Sequence, residues 1–448
     1  MTKFISGIVT LGLIAISNAQ ASPQSLLDIY QLAIANDPVL ASVQSGTVAA
    51  QEKLEQGKAL YRPSVNFNSG ISVSQDHVKF MGASIFKNGE ESFHTYDYGI
   101  NVTQSLYNKE INAKFEQAKA LVSQADNQQA LAKQDLILRT TQAYFDELLA
   151  QDKIELIKSQ KTSIIRQLDL AKANFDIGTS NVTDLNEAQA RFDLINAQEI
   201  GALSELEVKQ RSLESIIGDP PRALLTVRED LMPIYPEPAD MEDWVKISEQ
   251  NNLNLLIQQQ SLAIASQEVE KQNAGNLPTV NIVGGYNENH TNGSIYGYGY
   301  DIKDASIGLQ LQIPIYQGGS INSKIRESLA NKEKAQDDVE TTRRQVDLRT
   351  QESFLNLTSS IAQLKAYEQA LKSSLTQLDS TNLGYKVGAR TSLDVLNAQQ
   401  QYFSAKRDLL ESRYLYLINT LKLKSATGTL EVSDVEYINQ QLVQKDDQ

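Results

Sequence analysis

The sequence predicts an α+β membrane protein in which long coiled-coil helices are joined to short β-hairpins, with the whole plan present twice. Three observations predict this class: a repeat within the chain, two very long stretches without helix breakers, and two hairpin-like segments in which apolar and polar residues alternate. The repeat has to be interpreted first, because an internal repeat of this length fixes the architecture.

The repeat is clearest where residues 167–192 (QLDLAKANFDIGTSNVTDLNEAQARF) recur 210 positions later as residues 377–402 (QLDSTNLGYKVGARTSLDVLNAQQQY). The same offset extends in both directions without an insertion. We therefore expect residues 111–218 and 321–428 to be one helical unit present twice. This predicts an internal two-fold repeat rather than a series of unrelated domains.

The first segment, residues 1–21, has the features of a secretory signal peptide. Lys3 precedes a largely apolar run over 4–16, and Ala19-Gln20-Ala21 forms an A-x-A cleavage site. A transmembrane anchor is the weaker alternative, because this run is too short to span a bilayer. No later segment has 18 consecutive apolar residues, so an exported chain that enters a membrane has to do so with β-strands.

The first repeat, residues 22–218, is predicted to begin with a helix over 25–60 that breaks at Asp37-Pro38. Proline is tolerated early in a new helix, where its missing N–H would be unpaired anyway. A β-hairpin of about 64–107 follows, with its loop at 76–93. A long helix and a coiled-coil helix complete this unit.

The second repeat, residues 247–428, follows a Pro-rich joining segment at 219–246 and begins with a helix over 247–276. Its hairpin covers about 279–316, with a loop at 289–302. The remaining residues, 429–448, form a polar C-terminal tail.

The strand at 305–315 carries the clearest membrane signal, because apolar residues alternate there without error with uncharged, mostly polar ones. Strands of transmembrane barrels show this pattern, since lipid lies on one side and water on the other. Four strands cannot close a barrel, and an open edge in lipid leaves backbone groups unpaired. On this interpretation the sequence predicts a homo-oligomer.

The long helical stretches, 108–176 and 321–386, contain neither proline nor glycine before Gly384. The first would span about 100 Å as a continuous helix. Apolar residues then recur every seven positions in the helix that follows: Val395, Tyr402, Leu409, Tyr416 and Leu423. A strict seven-residue repeat predicts a left-handed coiled coil.

Composition narrows the possible functions. The chain has 41 Lys and Arg against 55 Asp and Glu, so no general basic surface for nucleic acid is expected. It has no cysteine, which excludes disulfides, thiol catalysis and thiolate metal sites. With three histidines and no phosphate-binding glycine loop or nucleophile elbow, we expect no enzyme activity, no cofactor and no metal site.

Three segments carry a family resemblance: LPTVNI at 277–282, IPIYQGGSINS at 313–323, and YKVGARTSLDVLNAQQQYFSAKRDL at 385–409. With the duplicated layout, they resemble the TolC family of outer-membrane efflux and type I secretion channels. The resemblance implies a homotrimer with a 12-stranded outer-membrane barrel, four strands from each chain, continued by an α-helical tunnel across the periplasm. It also implies passive export, with a periplasmic adaptor and an inner-membrane pump of RND, ABC or MFS type as partners.

The resemblance further implies a gate at the periplasmic tip, where the helix pairs turn. The residues at the matching positions are Gln167, Thr183, Asp184, Tyr385 and Arg390. Tyr385 and Arg390 are expected to bond to the region of Asp184 and to Gln167, holding the helices shut.

Helix capping is a compatible alternative for the same turns. Asn181-x-x-Asp184 and Thr391-x-x-Asp394 have the spacing of capping boxes. Gly178 and Gly388 fit the position just after a helix end.

The resemblance also places Asp394 in a pore-constriction ring of three carboxylates, which would favour cations. Family members often have a second acid one turn later, but Asn397 stands there in this chain. A solvated acid at a helix cap is the simpler interpretation of Asp394.

A periplasmic coiled-coil adaptor or scaffold without membrane strands is the alternative function. The paired hairpins and the alternation at 305–315 favour the channel, because an adaptor needs no lipid-facing band of strands.

Overall fold

The computed structural model describes residues 23–86 and 88–444, so the signal peptide predicted for 1–21 and the last four positions of the tail lie outside the described residues. The first half contains α1 Leu26–Asn36, α2 Pro38–Ala59, β1 Ser64–Val78, β2 Gly89–Tyr107, α3 Lys109–Asp176 and α4 Val182–Ile217. The second half contains β3 Thr226–Val227, α5 Met241–Asn251, α6 Leu253–Ala274, β4 Thr279–Thr291, β5 Tyr300–Gln312, α7 Ser320–Lys386, α8 Ser392–Ala426, α9 Val432–Asn439 and β6 Leu442–Val443.

The break between α1 and α2 follows from local chemistry. The Asp37 carboxylate accepts a hydrogen bond from the N–H of Leu40 at 2.7 Å, and Pro38 occupies the first turn of α2. An aspartate cap followed by proline starts a helix without leaving a donor unpaired. The predicted break at Asp37-Pro38 is therefore confirmed.

The equivalent helices of the second half differ from the prediction in two ways. α5 begins at Met241, inside the predicted joining segment, because the Asp240 side chain caps its first turn. It ends at Asn251, and the side chain of Asn252 then accepts two backbone N–H bonds to start α6. The single helix predicted over 247–276 is therefore two helices with a capped break between them.

The four long strands form one antiparallel sheet in the order β1-β2-β4-β5. Both hairpins pair closer to their tips than predicted, since Val78 pairs with Gly89 and Thr291 pairs with Tyr300. Backbone ladder bonds do not require apolar side chains, so polar residues extend the strands into the predicted loops. At its other end β5 stops at Gln312, because Pro314 has no N–H to donate to the ladder.

One face of this sheet is apolar and exposed. A row crosses all four strands, with Phe67 opposite Ile100, Ile100 opposite Tyr286, and Tyr286 opposite Ala305. Ile307, in the next row, has 84% of its surface exposed. The row between these two, on the opposite face, has no apolar side chain and consists of Asn66, Asn101, Gly285 and Ser306. This alternation is as expected for lipid on one side and water on the other.

The long helices pack as two antiparallel pairs, α3 with α4 and α7 with α8, and α2 and α6 pack alongside them, α2 against α3 and α6 against both α3 and α7. The heptad positions predicted on α8 form its packed face, since Val395, Leu409, Tyr416 and Leu423 are buried and Tyr402 is partly buried. Within the part of the chain that the structure describes, no helix is both long enough and apolar enough to cross a membrane.

The main core lies where α1, α3, α8 and α9 meet the two-stranded sheet of β3 and β6. Tyr144 and Phe145 are fully buried at its centre. The Tyr144 hydroxyl donates to the backbone oxygens of Leu225 at 2.7 Å and Gln24 at 3.2 Å, so its polar end is paired. Burying each large apolar side chain contributes about 1.5–3 kcal/mol, which makes this region the most firmly held part of the chain.

A second, much smaller cluster lies towards the helix turns. It consists of Leu168, Ala171, Ala188 and Leu396, with Leu185 and Phe192 packed against it. Because two of its four buried members are alanines, it buries little apolar surface. The helix turns are therefore held more weakly than the main core.

Candidate functional site

The two helix turns have the same backbone geometry. After α3, the N–H of Gly178 donates to Phe175 O at 3.0 Å and the N–H of Thr179 donates to Asn174 O at 2.8 Å. After α7, Gly388 and Ala389 donate to the equivalent carbonyls of Tyr385 and Gly384 at 3.1 and 2.8 Å. The two glycines have φ of +75° and +76°. This Schellman geometry confirms both glycines as helix-terminating residues.

The second turn carries the predicted capping box. The Thr391 hydroxyl accepts a hydrogen bond from the N–H of Asp394 at 3.2 Å, and the Asp394 carboxylate accepts from the Thr391 N–H at 2.9 Å. These bonds to the Thr391 backbone and hydroxyl, together with the nearby Arg390, lower the pKa of Asp394. Asp394 is therefore ionised at neutral pH and serves as part of a helix cap.

The capping box predicted for the first turn is wrong. Asn181 precedes α4, but its side chain caps nothing, because the N–H of Asp184 bonds instead to the Asn181 backbone oxygen at 3.1 Å. Within the described residues, the Asp184 carboxylate accepts no hydrogen bond. The neighbouring Thr183 is exposed. The first turn thus presents an acid and a hydroxyl that its own helix does not use.

Two side-chain hydrogen bonds join the helix pairs near these turns. The Asn174 amide on α3 donates to the Tyr385 hydroxyl on α7 at 3.3 Å, and the Arg191 guanidinium on α4 donates to Asn397 Oδ1 on α8 at 3.0 Å. Within the chain, Tyr385 therefore contacts Asn174, whereas the family resemblance implied contacts of Tyr385 and Arg390 with the region of Asp184 and with Gln167.

Arg390 and Gln167 have no such partner within the chain. In the described part of the protein, the Arg390 guanidinium forms no hydrogen bond or salt bridge, and its aliphatic stem lies against Gly384. A Cβ at that glycine would be 2.7 Å from Arg390 Cγ, so only glycine permits this approach. The side-chain oxygen of Gln167 is buried without a hydrogen-bond partner.

Sequence reasoning missed Asn174 and Arg191. Differences between the two repeat copies could have pointed to them, since Asn174 aligns with Gly384 and Arg191 aligns with Gln401. A polar or charged residue present in only one copy cannot serve the shared helical plan and is a candidate for a specific contact.

No chemistry other than hydrogen bonding is apparent at these turns. Among the residues from 23 to 86 and from 88 to 444, no group of His, Asp and Glu side chains has the arrangement of a metal site.

Long paired helices that continue from a sheet with one apolar face define the class of outer-membrane export channels. The sequence pattern of the family described as "Outer membrane efflux protein" matches residues 29–219 and 244–429. The chain therefore belongs to this family. It is a channel-tunnel of the outer membrane through which substrates are exported.

The sequences of individual family members align with this chain over nearly its whole length. The chain is 31% identical to outer membrane protein TolC of Vibrio cholerae over 443 residues, 98% of each chain. It is 27% identical to the proteases secretion protein PrtF of Dickeya chrysanthemi, over 94% of this chain and 92% of that one. The solved outer membrane channel CmeC of Campylobacter jejuni has the same fold, with a TM-score of 0.75 at 16% identity, over 93% of this chain and 89% of that one.

Proposed function

We propose that three copies of this chain form one duct, closed at rest at its periplasmic tip and opened by contact with a pump complex. The sheet supports the trimer. β1 and β5 are its two edges, and their outer backbone groups lack ladder partners within the described chain. Pairing β5 of one copy with β1 of the next satisfies both edges and closes a 12-stranded barrel from three sheets.

The helices extend this barrel into the periplasm. α3 has 68 residues and α7 has 67, so each spans about 100 Å as a continuous helix. A rod of that length suits a tunnel that crosses a compartment. A periplasmic adaptor and an inner-membrane pump of RND, ABC or MFS type dock at its lower end.

The gate is proposed at the two helix turns. The main support for this gate is that some polar side chains at the turns have hydrogen-bond partners within the chain and others do not. Asn174 and Arg191 tie the two helix pairs of one chain together, whereas Asp184, Arg390 and the buried oxygen of Gln167 are left for another protomer. Buried polar atoms are rarely left unpaired in folded proteins, so Gln167 favours an intersubunit contact at this point.

The energetics suit a gate that opens. A neutral hydrogen bond such as that between Asn174 and Tyr385 contributes about 0.5–1.5 kcal/mol, and exposed ion pairs contribute about 0.2–1 kcal/mol. Several such contacts in three copies keep the tip closed, yet partner binding supplies enough energy to break them. In the closed tip, three copies of Asp394 face the pore and favour cations.

In this proposal the pump, rather than the duct, selects the exported substrate. One relative is named for secretion of proteases and others for efflux, so both secreted proteins and toxic small molecules are candidate cargo. Nothing in the described helices forms a substrate-specific catalytic site, and the proposed transport is passive.

The test is single-channel conductance of the purified trimer in a planar bilayer. Wild type is expected to conduct weakly, and Tyr385→Phe and Arg390→Ser are each expected to raise the conductance by loosening the tip. Tyr367→Phe is the matched control. It changes a tyrosine on the same helix, 18 residues away, whose hydroxyl makes no hydrogen bond within the described chain.

A channel that conducts equally in wild type, in both single variants and in the double variant would refute the gate and leave these residues as parts of a helix turn. Folded protein that forms no channel would refute the duct itself.

A further inference from the structure

Arg191 stands out among the charged residues near the helix turns. Its guanidinium crosses from α4 to α8 and donates to Asn397 Oδ1 at 3.0 Å. Within the described residues it forms no salt bridge, although Glu187 lies one turn away on its own helix. Among the described residues, most arginines and lysines that make a side-chain contact pair with a carboxylate, whereas the guanidinium of Arg191, like that of Arg390, does not.

The hydrogen bond to Asn397 on α8 fixes the position of the Arg191 charge relative to Asp394. Asp394 and Asn397 are three residues apart on α8 and therefore lie on the same helix face, one turn apart. A guanidinium bound to Asn397 thus lies about 5 Å along the helix from the level of the Asp394 carboxylate. Arg390 also lies close enough to Asp394 to contribute to the lowering of its pKa.

We infer that Arg191 determines the ion selectivity of the closed tip, by placing one positive charge per chain beside the Asp394 ring. This inference rests on the proposed function, because it takes Asp394 to face the pore. Asn397 holds the guanidinium in place by its side-chain oxygen. The constriction is then less selective for cations than three carboxylates alone would make it.

The expected effect is measurable. Charges separated by about one Debye length in water still interact, and three copies act together on one permeating ion. Removing the three guanidinium charges by Arg191→Gln is expected to raise the ratio of K⁺ to Cl⁻ permeability by about threefold at low salt, and less at high salt.

The measurement is the reversal potential of the purified trimer in a planar bilayer under a KCl gradient. Arg191→Lys keeps the charge and is expected to retain wild-type selectivity. Arg211→Gln is the matched control. It lies on the same helix, 67% exposed and paired with Glu214, about 30 Å further along. Assembly of each variant is checked by its migration as a trimer.

A double-mutant cycle of Arg191→Gln and Asn397→Asp tests whether the Arg191 guanidinium acts at the position of residue 397. Asn397→Asp adds an acid that Arg191 neutralises by ion pairing, so its effect on selectivity is expected to be larger in the Arg191→Gln background than in wild type. Additive effects of the two substitutions would overturn the inference.

The inference is also overturned by a conducting Arg191→Gln channel with wild-type selectivity, or by an equal change in Arg211→Gln. These results leave the proposed duct intact. Absence of any channel from folded wild-type trimer would instead refute the proposed function, and this inference with it.

Discussion

Arg139 makes the ion pair on which we expect the stability of the chain to depend most. Its guanidinium donates to both oxygens of Asp37, at 3.0 and 3.2 Å, and the Asp37 side chain is only 2% exposed. Burial alone would raise the pKa of Asp37, but the hydrogen bonds from Arg139 and from the Leu40 backbone lower it. Arg139→Met would leave the buried Asp37 carboxylate without its main partner. We predict that this substitution lowers the free energy of unfolding.

The size of the stability loss in Arg139→Met follows from the burial of the ion pair. Removing one partner of a buried ion pair costs about 3–5 kcal/mol, and the lower end applies here because Arg139 is 31% exposed. A loss of about 3 kcal/mol lowers the thermal midpoint by about 3 °C in a chain of this size. The folded pKa of Asp37 is lowered, so its contribution is complete above the unfolded value of about 3.9 and is lost as pH falls through the folded value. Without Arg139 the buried carboxyl also protonates more readily as pH falls, so the difference between wild type and variant should shrink towards low pH and be smallest below about pH 4.

The second half of the chain suggests both a compensating substitution and a control variant for Arg139→Met. Asn252 caps α6 where Asp37 caps α2, and it does so uncharged. Asp37→Asn combined with Arg139→Met should therefore recover most of the lost stability. Arg349→Met is the matched control, since Arg349 aligns with Arg139 at the repeat offset and is exposed. The assay is thermal unfolding of the purified protein in detergent across pH 3–8. An Arg139→Met loss that is independent of pH, or that the double variant does not relieve, would refute the reasoning.

Two further predictions concern the helix turns. Gly388→Ala should cost about 1–2 kcal/mol locally, because φ is +76° while the space around the new Cβ is open. Hydrogen exchange of residues 385–392 should rise while the protein as a whole stays folded. Unchanged exchange would contradict it. The cation preference that we propose for Asp394 should persist to pH 5 and fade only below about pH 4, since the pKa of Asp394 lies below the usual value. Loss of reversal potential at pH 5–6 would show that another group is responsible.

Much of the fold could be predicted because the controlling signals are local or periodic. The break at Asp37-Pro38 and the turn glycines Gly178 and Gly388 depend on the residues beside them. The heptads on α8 depend on spacing alone. Helix starts such as Met241 were missed because a single aspartate cap overrides a proline-rich context.

The site was harder, because its contacts join residues that are about 200 positions apart. The spacing Asn181-x-x-Asp184 fits a capping box as well as Thr391-x-x-Asp394 does, yet only the second forms one. Which donor the Asp184 carboxylate meets depends on packing between helices and between protomers. The sequence pattern holds no information about that packing, and the intersubunit part of the gate stays a prediction.

The distribution of packing along the chain supports the proposal that the helix tips open without unfolding the rest of the chain. The main core, around Tyr144 and Phe145, lies at mid-length and binds α1, α3, α8 and α9 to one another. The cluster near the turns contains four buried residues, two of them alanines, and single hydrogen bonds from Asn174 and Arg191. Local opening follows the elements with the fewest buried apolar contacts. We therefore expect the helix tips to separate at a small fraction of the energy that the core would require, so that the proposed gate can move while the rest of the chain keeps its shape.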